Sequence, residues 1–191
     1  MSKRFEICLA GSGGQGVITA AVMIGEAASM FCDGLYAVQT QSYGPAARGG
    51  SAKAEVVISD EPIDYPKPVN SDLMICLTGA AAEKYAKTTR HGGRLILDSF
   101  AVENLPDVDA NIYQLPLIQT AREKIGREIV TNMVALGMVA RVLELENIMK
   151  PDAVRKAMLD RVPKGTEELN AKAFEEGYKM FQESQSMHFK D

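Results

Sequence analysis

A cluster of glycines near the start of the sequence constrains the fold of this chain more than any other feature. It follows an apolar stretch over residues 5–10 and consists of Gly11, Ser12, Gly13, Gly14, Gln15 and Gly16. Apolar residues at helical spacing come next, from Val17 to Phe31. A short apolar run, a glycine-rich turn and a helical pattern are typical of a strand joined tightly to a helix. The sequence therefore predicts a β–turn–α unit, with the helix from about Gln15 to Cys32.

The same turn is a candidate binding site for an anion. Glycines at positions 11, 13 and 16 have the spacing of a dinucleotide-type fingerprint and permit close approach of the backbone to a ligand. The first amides of the helix have no partner inside it, and the helix dipole adds positive potential there. We therefore expect the turn to bind a phosphate. A purely structural role is the alternative, since any open parallel sheet needs a small-residue turn at this place.

A nicotinamide or flavin site would also need an acidic residue about 20 positions further on, to bind the ribose hydroxyls. The predicted second strand, Leu35–Val38, ends in Gln39, Thr40 and Gln41 instead. No Asp or Glu occurs between Asp33 and Glu55. This absence counts against NAD.

A second unusual segment spans residues 39–51 and is rich in amides, hydroxyls and glycines. Its composition favours a ligand or partner loop. Arg48 stands directly before Gly49 and Gly50, so its guanidinium and the nearby amides are suited to holding a phosphate or carboxylate together. A solvated arginine in a turn is the alternative.

The bulk composition excludes several classes of protein. The 191 residues carry a net charge of only −4, with scattered basic residues, so we expect no nucleic-acid or membrane partner. The sequence shows no signal-type region and no membrane-spanning stretch, which predicts a cytoplasmic location. Cys8, Cys32 and Cys76 are widely spaced, and no Cys-x-x-Cys motif occurs, so the chain alone is expected to hold neither a zinc ion nor an iron–sulfur cluster.

The rest of the chain alternates between strand and helix patterns. Further strands are predicted at Ala52–Ser59, Asp72–Leu77, Arg94–Asp98 and Asn111–Leu115. Further helices are predicted at Ala80–Thr88, Leu117–Gly126, Ile129–Ile148, Asp152–Arg161 and Thr166–Gln182. We expect an α/β fold: one Rossmann-like domain over residues 1–191, with a mostly parallel sheet flanked by helices and additional helices at the carboxyl end. Asp98, at the end of a predicted strand, is interpreted as a capping residue.

The predicted helix Ile129–Ile148 is apolar almost all round. Such a helix is either central in the core or covered by a partner subunit. Together with the apolar surface expected elsewhere, it predicts that the protein is not a monomer. A homodimer of the isolated chain is one arrangement that satisfies this prediction.

Three motifs taken together resemble the gamma subunit of 2-oxoacid:ferredoxin oxidoreductases, over roughly residues 5–180. They are the glycine turn at residues 11–17, the Arg48 segment at residues 43–51, and Asn132–Gly137. The form of residues 41–50 is most similar to the 2-oxoglutarate branch, because pyruvate-type subunits tend to have an arginine at the position of Ser12 and charged residues at those of Ala46 and Ala47. The resemblance implies a pyruvate/ketoisovalerate oxidoreductase gamma-type domain.

The resemblance also implies the cofactors and the partners. Such complexes decarboxylate a 2-oxoacid on thiamine diphosphate, pass electrons through iron–sulfur clusters to ferredoxin, and transfer the acyl group to coenzyme A. The chain lacks the motifs for these cofactors, so they are expected in the partner alpha, beta and ferredoxin-like delta subunits, and the chain alone is expected to bind none. In this interpretation no residue of the chain is catalytic. The glycine turn, with Gln41, Arg48, Gly49 and Gly50, would hold the phosphates of coenzyme A or line the interface near the thiamine site.

Three other functions stay open at this stage. The chain is also similar to subunits specific for indolepyruvate or branched-chain 2-oxoacids. A stand-alone dinucleotide-binding oxidoreductase or sensor is a second alternative, although the missing acid speaks against it. The third is an assembly subunit without any ligand.

Overall fold

The protein is described from a computed structural model, in which residues 4–43, 50–183 and 187–188 are defined. The strands are β1 (Arg4–Ser12), β2 (Tyr36–Tyr43), β3 (Ser51–Ser59), β4 (Ser71–Cys76), β5 (Thr89–Asp98), β6 (Asn111–Leu115) and β7 (Met187–His188). The helices are α1 (Val17–Phe31), α2 (Gly79–Tyr85), α3 (Leu117–Gln119), α4 (Thr131–Leu145), α5 (Pro151–Arg161) and α6 (Glu167–Met180). Helix α3 continues as a π-helical segment over Thr120–Ile125, and a 3₁₀ turn over Glu128–Val130 precedes α4.

The strands form one sheet in the order β2-β3-β1-β4-β5-β6-β7. Strands β1, β4, β5 and β6 pair in parallel, whereas β3 is antiparallel to both β1 and β2. Five of the seven strands thus point the same way, which confirms the mostly parallel α/β prediction. The antiparallel β3 separates β1 from β2, so the first two strands of the chain are not neighbours in the sheet.

The two faces of the sheet are covered by different elements. Helices α1, α4, α5 and α6 pack against one face, over the larger apolar core. Helix α2 and the segment after β5 cover the other face around a smaller core. Strand β3 shows the alternation that assigns its faces: Ala54, Val56 and Ile58 join the larger core, whereas Lys53 and Glu55 lie on the opposite side.

Helix α4 is the central helix of the larger core. Twelve of its fifteen residues are buried, all but Arg141, Glu144 and Leu145. Its close contact with α6 depends on two glycines, because a Cβ at Gly137 would lie 2.0 Å from the carbonyl oxygen of Phe174, and one at Gly177 would lie 1.9 Å from that of Val134. The prediction of a buried apolar helix is confirmed, and its cover is this chain's own α6.

Two element predictions need correction. Strand β2 runs to Tyr43, so the prediction that residues 39–43 belong to a loop is wrong. These residues pair with β3 from Gln39↔Val56 to Tyr43↔Ala52, and polar side chains are tolerated because β2 is the outermost strand. Strand β5 begins at Thr89, before the predicted start at Arg94, because Thr89 already pairs with Ser71 of β4.

The end of α6 is fastened to the sheet by a polar cluster that we call the carboxyl-terminal clasp: Arg94, Tyr113, Glu146 and Glu183. The Arg94 guanidinium donates to Glu183 at 2.7 Å and pairs with Glu146 at 2.7 Å. The Tyr113 hydroxyl donates to the second Glu183 oxygen at 2.7 Å, and its ring packs against Phe181. The clasp joins β5, β6 and α4 to the segment after α6.

Candidate functional site

The glycine turn lies at the carboxyl end of β1, beside the start of β3. Ser12 pairs with Ser51 across the two strands, and the Gly13 amide donates to the Gly50 carbonyl at 2.8 Å. The turn and the last glycine of the second segment, which are 37 positions apart in the sequence, are therefore in direct contact. This edge of the sheet is where open α/β folds bind ligands.

Gln15 holds the turn in shape. Its side-chain carbonyl accepts a hydrogen bond from the Ser12 backbone amide at 2.7 Å. The backbone amide of Gln15 donates in return to the Ser12 carbonyl at 3.2 Å. Two of the predicted ligand-binding residues, Ser12 and Gln15, thus have backbone or side-chain groups occupied within the turn. These hydrogen bonds fix the positions of the amides around them.

Asn132, in the first turn of α4, contacts the last residue of the glycine turn. Gly16 caps the amino end of α1 with φ of 69°, and the buried Asn132 donates to its carbonyl at 3.3 Å. A Cβ at Gly16 would lie 2.3 Å from the Asn132 amide nitrogen. The sequence motif contained Asn132 without indicating its role. The signal that could have identified it is a single amide in the first turn of an otherwise apolar helix.

The electrostatics of the turn favour an anion. The first turn of α1 has neither a side-chain cap nor an acidic residue. Its amides therefore keep their donor capacity, and the helix dipole is not neutralised by a carboxylate. Gly13 and Gly14 are exposed, and a Cβ placed at Gly14 would meet no atom of the described residues within 4 Å.

The other predicted site residues were expected beside the glycine turn, and the structure confirms this only for Gly50. Gln41 lies in β2, in a row with Ala54 of β3 and Leu9 of β1, so it is two strands away from β1 and not in the turn. Gly50 contacts the turn. Arg48 and Gly49 lie outside the described residues, and the expectation for them stays a prediction.

Asp98 has a structural role at the same edge. Its buried carboxylate accepts hydrogen bonds from the amides of Phe100 (3.0 Å), Ala101 (2.8 Å) and Ile118 (2.8 Å). These three bonds hold the segment after β5 and the start of α3. The interpretation of Asp98 as a capping residue is confirmed.

The donor set of the chain does not fit an iron–sulfur cluster. Burial raises the pKa of the Cys8 thiol to about 12, and burial likewise raises the pKa of Cys76. Cys32 is half-buried at the end of α1, where burial and the charge of Asp33 raise its pKa. Across residues 4–43 and 50–183, no group of three or more His, Cys, Asp or Glu side chains is arranged to bind a metal ion. None of the helices in the described ranges has the length and hydropathy needed to cross a membrane.

Comparisons with known proteins agree with this architecture. The family model for pyruvate ferredoxin/flavodoxin oxidoreductase matches residues 6–180. The 2-oxoglutarate synthase subunit KorC of Methanocaldococcus jannaschii is 48% identical over 182 residues, which cover 94% of this chain and 95% of that protein.

Two solved structures show the same fold. The gamma subunit of a keto/oxoacid ferredoxin oxidoreductase from Geobacter sulfurreducens superposes with a TM-score of 0.84 at 42% identity, over 97% of this chain and 99% of that one. A 2-oxoglutarate:ferredoxin oxidoreductase from Magnetococcus marinus, with 2-oxoglutarate, coenzyme A and succinyl-CoA bound, superposes with a TM-score of 0.81 at 24% identity. This second match covers 93% of our chain but only 31% of the other, so there the shared fold is one section of a longer polypeptide.

Proposed function

The chain belongs to the pyruvate ferredoxin/flavodoxin oxidoreductase family, and from this premise we propose that it is the gamma subunit of a 2-oxoglutarate:ferredoxin oxidoreductase. The observation that carries the proposal is the 48% identity to a 2-oxoglutarate synthase subunit over nearly the whole of both chains. Residues 1–191 act in this proposal as one gamma-type unit, which is inactive without its partners.

The complex converts 2-oxoglutarate and coenzyme A to succinyl-CoA and CO₂ and passes two electrons to ferredoxin. Thiamine diphosphate and iron–sulfur clusters supply the bond cleavage and the electron transfer, and they reside in the alpha, beta and ferredoxin-like delta subunits. The buried, high-pKa thiols of Cys8 and Cys76 support this division, because they are unsuited to ligate a cluster. The role left to this chain is binding and positioning.

The glycine turn, together with Arg48, binds the phosphates of coenzyme A in this proposal. Support comes from the exposed Gly13 and Gly14, from the uncapped amino end of α1, and from the contact of Gly13 with Gly50, two residues after Arg48. A guanidinium and several amides converging on one anion form charge-assisted hydrogen bonds. The Magnetococcus enzyme that shares the fold has coenzyme A bound.

The test is the Arg48→Ala variant in the assembled complex, assayed anaerobically by reduction of ferredoxin or a viologen dye. We expect the KM for coenzyme A to rise by at least tenfold, because losing a hydrogen bond to a charged group costs about 1.5–3 kcal/mol. The KM for 2-oxoglutarate should change little. Arg155→Ala, which removes an exposed arginine from α5, is the matched control. An unchanged KM for coenzyme A in a complex that assembles normally would refute this assignment of the site.

The identity of the substrate is tested with the natural complex. The protein is isolated anaerobically from its own cells, the co-eluting subunits are identified, and 2-oxoglutarate, indolepyruvate and branched-chain 2-oxoacids are compared as substrates. Preference for 2-oxoglutarate supports the proposal. A protein that elutes alone and binds a nucleotide contradicts it.

A further inference from the structure

An aromatic ring stands out from the sheet edge that carries the glycine turn. Phe100 is the second residue after the carboxyl end of β5 and is 61% exposed. Its backbone is held in place, because its amide donates to the Asp98 carboxylate at 3.0 Å. The guanidinium carbon of Arg122, from the π-helical segment, lies 5.2 Å from the centre of the ring. The ring is therefore presented to solvent in a fixed position.

The same arginine connects Phe100 to a second exposed apolar side chain. Arg122 donates to Glu128 at 2.7 and 3.1 Å. Ile129, the next residue, is 74% exposed, the largest exposure of any large apolar side chain in the described ranges. The 3₁₀ turn that carries it is fixed by a hydrogen bond of 2.6 Å from the Thr131 hydroxyl to the Glu128 carbonyl. We call Phe100, Arg122, Glu128 and Ile129 the carboxyl-edge strip.

The strip is linked to the candidate site through the start of α4. Asn132, one turn of helix after Ile129, donates to the Gly16 carbonyl in the glycine turn. Exposed aromatic and aliphatic side chains with a stacked arginine are the composition of the central part of protein interfaces. Arg122 is paired with Glu128, so the strip is close to neutral. It therefore fits a protein surface of low net charge better than a nucleic acid or an acidic peptide.

The comparisons indicate what kind of partner meets this surface. The fold forms nearly the whole of the KorC subunit, which is matched over 95% of its length, but only 31% of the Magnetococcus chain. The same fold therefore exists both as a subunit and as one section of a longer polypeptide. In both arrangements one of its faces has to meet the rest of the enzyme.

We propose, on the basis of the proposed function, that the carboxyl-edge strip docks onto the partner subunit that corresponds to the remaining two thirds of such a longer chain. Phe100 and Ile129 are the apolar anchors, and Arg122 keeps the Phe100 ring in its docking orientation. Docking at this edge covers the glycine turn and excludes water from it. An anion held there interacts more strongly with the amides as the surrounding dielectric falls.

The test is the double variant Phe100→Ser/Ile129→Ser, co-expressed with the partner subunits and compared with wild type by affinity capture and titration. Both side chains are exposed, so circular dichroism and the Tm of the isolated chain should be unchanged. We expect binding of the partner to weaken at least tenfold. The control is Met30→Ser/Val69→Ser, which removes two side chains of similar exposure, 66% and 67%, at the end of α1 and in the loop before β4. Ile129→Lys is a second, single-residue variant, with the same expected direction.

The outcomes separate the two proposals. If the wild-type chain assembles and the double variant binds the partner equally well, the docking inference is overturned and the proposed function stands. The inference is also overturned if only the control variant loses binding, or if the strip variant abolishes self-association and leaves partner binding intact. If the wild-type chain assembles with no partner and supports no 2-oxoglutarate oxidation, the proposed function itself fails.

Discussion

Gly16 has two physical reasons to lack a side chain: its φ of 69° is in the left-handed region, and the Asn132 side chain occupies the space that a Cβ would need. We expect Gly16→Ala to lower the free energy of unfolding by about 1–3 kcal/mol. Part of this loss comes from the clash, so the double variant Gly16→Ala/Asn132→Ala should lose less than the sum of the two single variants. Chemical denaturation of the four proteins measures this, and strict additivity would contradict the proposed contact.

The three thiols are predicted to differ sharply in reactivity. At pH 8 a thiol whose pKa is about 12, as for Cys8, is ionised to only about one part in ten thousand. Cys76 is equally buried, whereas Cys32 is partly accessible. Treatment of the native protein with a maleimide, followed by peptide mass spectrometry, should show modification of Cys32 first. All three should react in denaturant. Modification of native Cys8 as fast as Cys32 would show that β1 is not buried as described.

Residue patterns predicted the glycine turn and the cap at Asp98, because each is indicated by residues close in sequence. The contacts of Gly16 with Asn132 and of Gly13 with Gly50 join distant segments, and no local pattern contains them. The side chain of Gln15 was misjudged for a different reason, since its contact is local. Its amide looked suited to a ligand, but the Ser12 amide takes its oxygen.

At the scale of elements, the packing of α4 on α6 depends on the absence of two side chains. A methyl group at Gly177 would lie 1.9 Å from the Val134 carbonyl oxygen, so the two helices would have to move apart. We expect Gly177→Ala to destabilise the protein by about 3 kcal/mol, the upper range for an overpacked core.

Gly25 in α1 provides the matched control for this prediction. The same substitution there places the methyl group in ordinary contact, 3.8 Å from the Cβ of Gln39. Gly25→Ala should therefore be neutral or stabilise by up to about 1 kcal/mol, because alanine favours the helix. Equal Tm values for Gly177→Ala and Gly25→Ala would show that the helices are not in backbone contact.

Prediction of strands and helices succeeded where the element has a continuous apolar pattern. It failed where only the hydrogen-bonded pairing with a neighbouring strand makes a segment a strand. Asn111–Leu115 was predicted with the observed bounds, and α4 was recognised from its apolar residues. The polar residues 39–43 gave no strand signal, and only their pairing with β3 makes them one. The insertion of β3 between β1 and β2 was not predicted either, because the order of strands depends on contacts between distant segments that no local pattern contains.

At the scale of the whole molecule, the carboxyl-terminal clasp makes stability dependent on pH. Burial alone would raise the pKa of Glu183, but the hydrogen bonds from Arg94 and Tyr113 and the charge of Arg94 lower it further than burial raises it, so the net pKa lies below its usual range. A carboxyl whose pKa is lower in the folded state stabilises that state above its unfolded pKa of about 4.3. This contribution is lost as the pH falls through the folded pKa.

The variant Glu183→Gln tests the clasp. We expect a loss of up to about 1 kcal/mol at pH 7, since the Glu183 side chain is 44% exposed and water screens its charge. The difference from wild type should shrink on acidification below about pH 4, because the wild type then loses the same contribution. Urea titrations between pH 3 and pH 7 measure it. A constant difference over that range would mean that the Glu183 charge does not contribute.

The outermost strand has a practical consequence for handling the purified subunit. Strands at the border of a sheet usually carry lysine, proline or a bulge, which prevent other molecules from adding to them. Strand β2 has no charged residue and no proline, its register with β3 is regular, and in the part of the chain that the structure describes no strand pairs with its outer side. We therefore expect concentrated stocks of the lone subunit to aggregate by pairing of this edge strand with other molecules. Co-production with the other subunits, or the substitution Ser42→Lys at this exposed position, should keep the subunit in solution longer than added salt does.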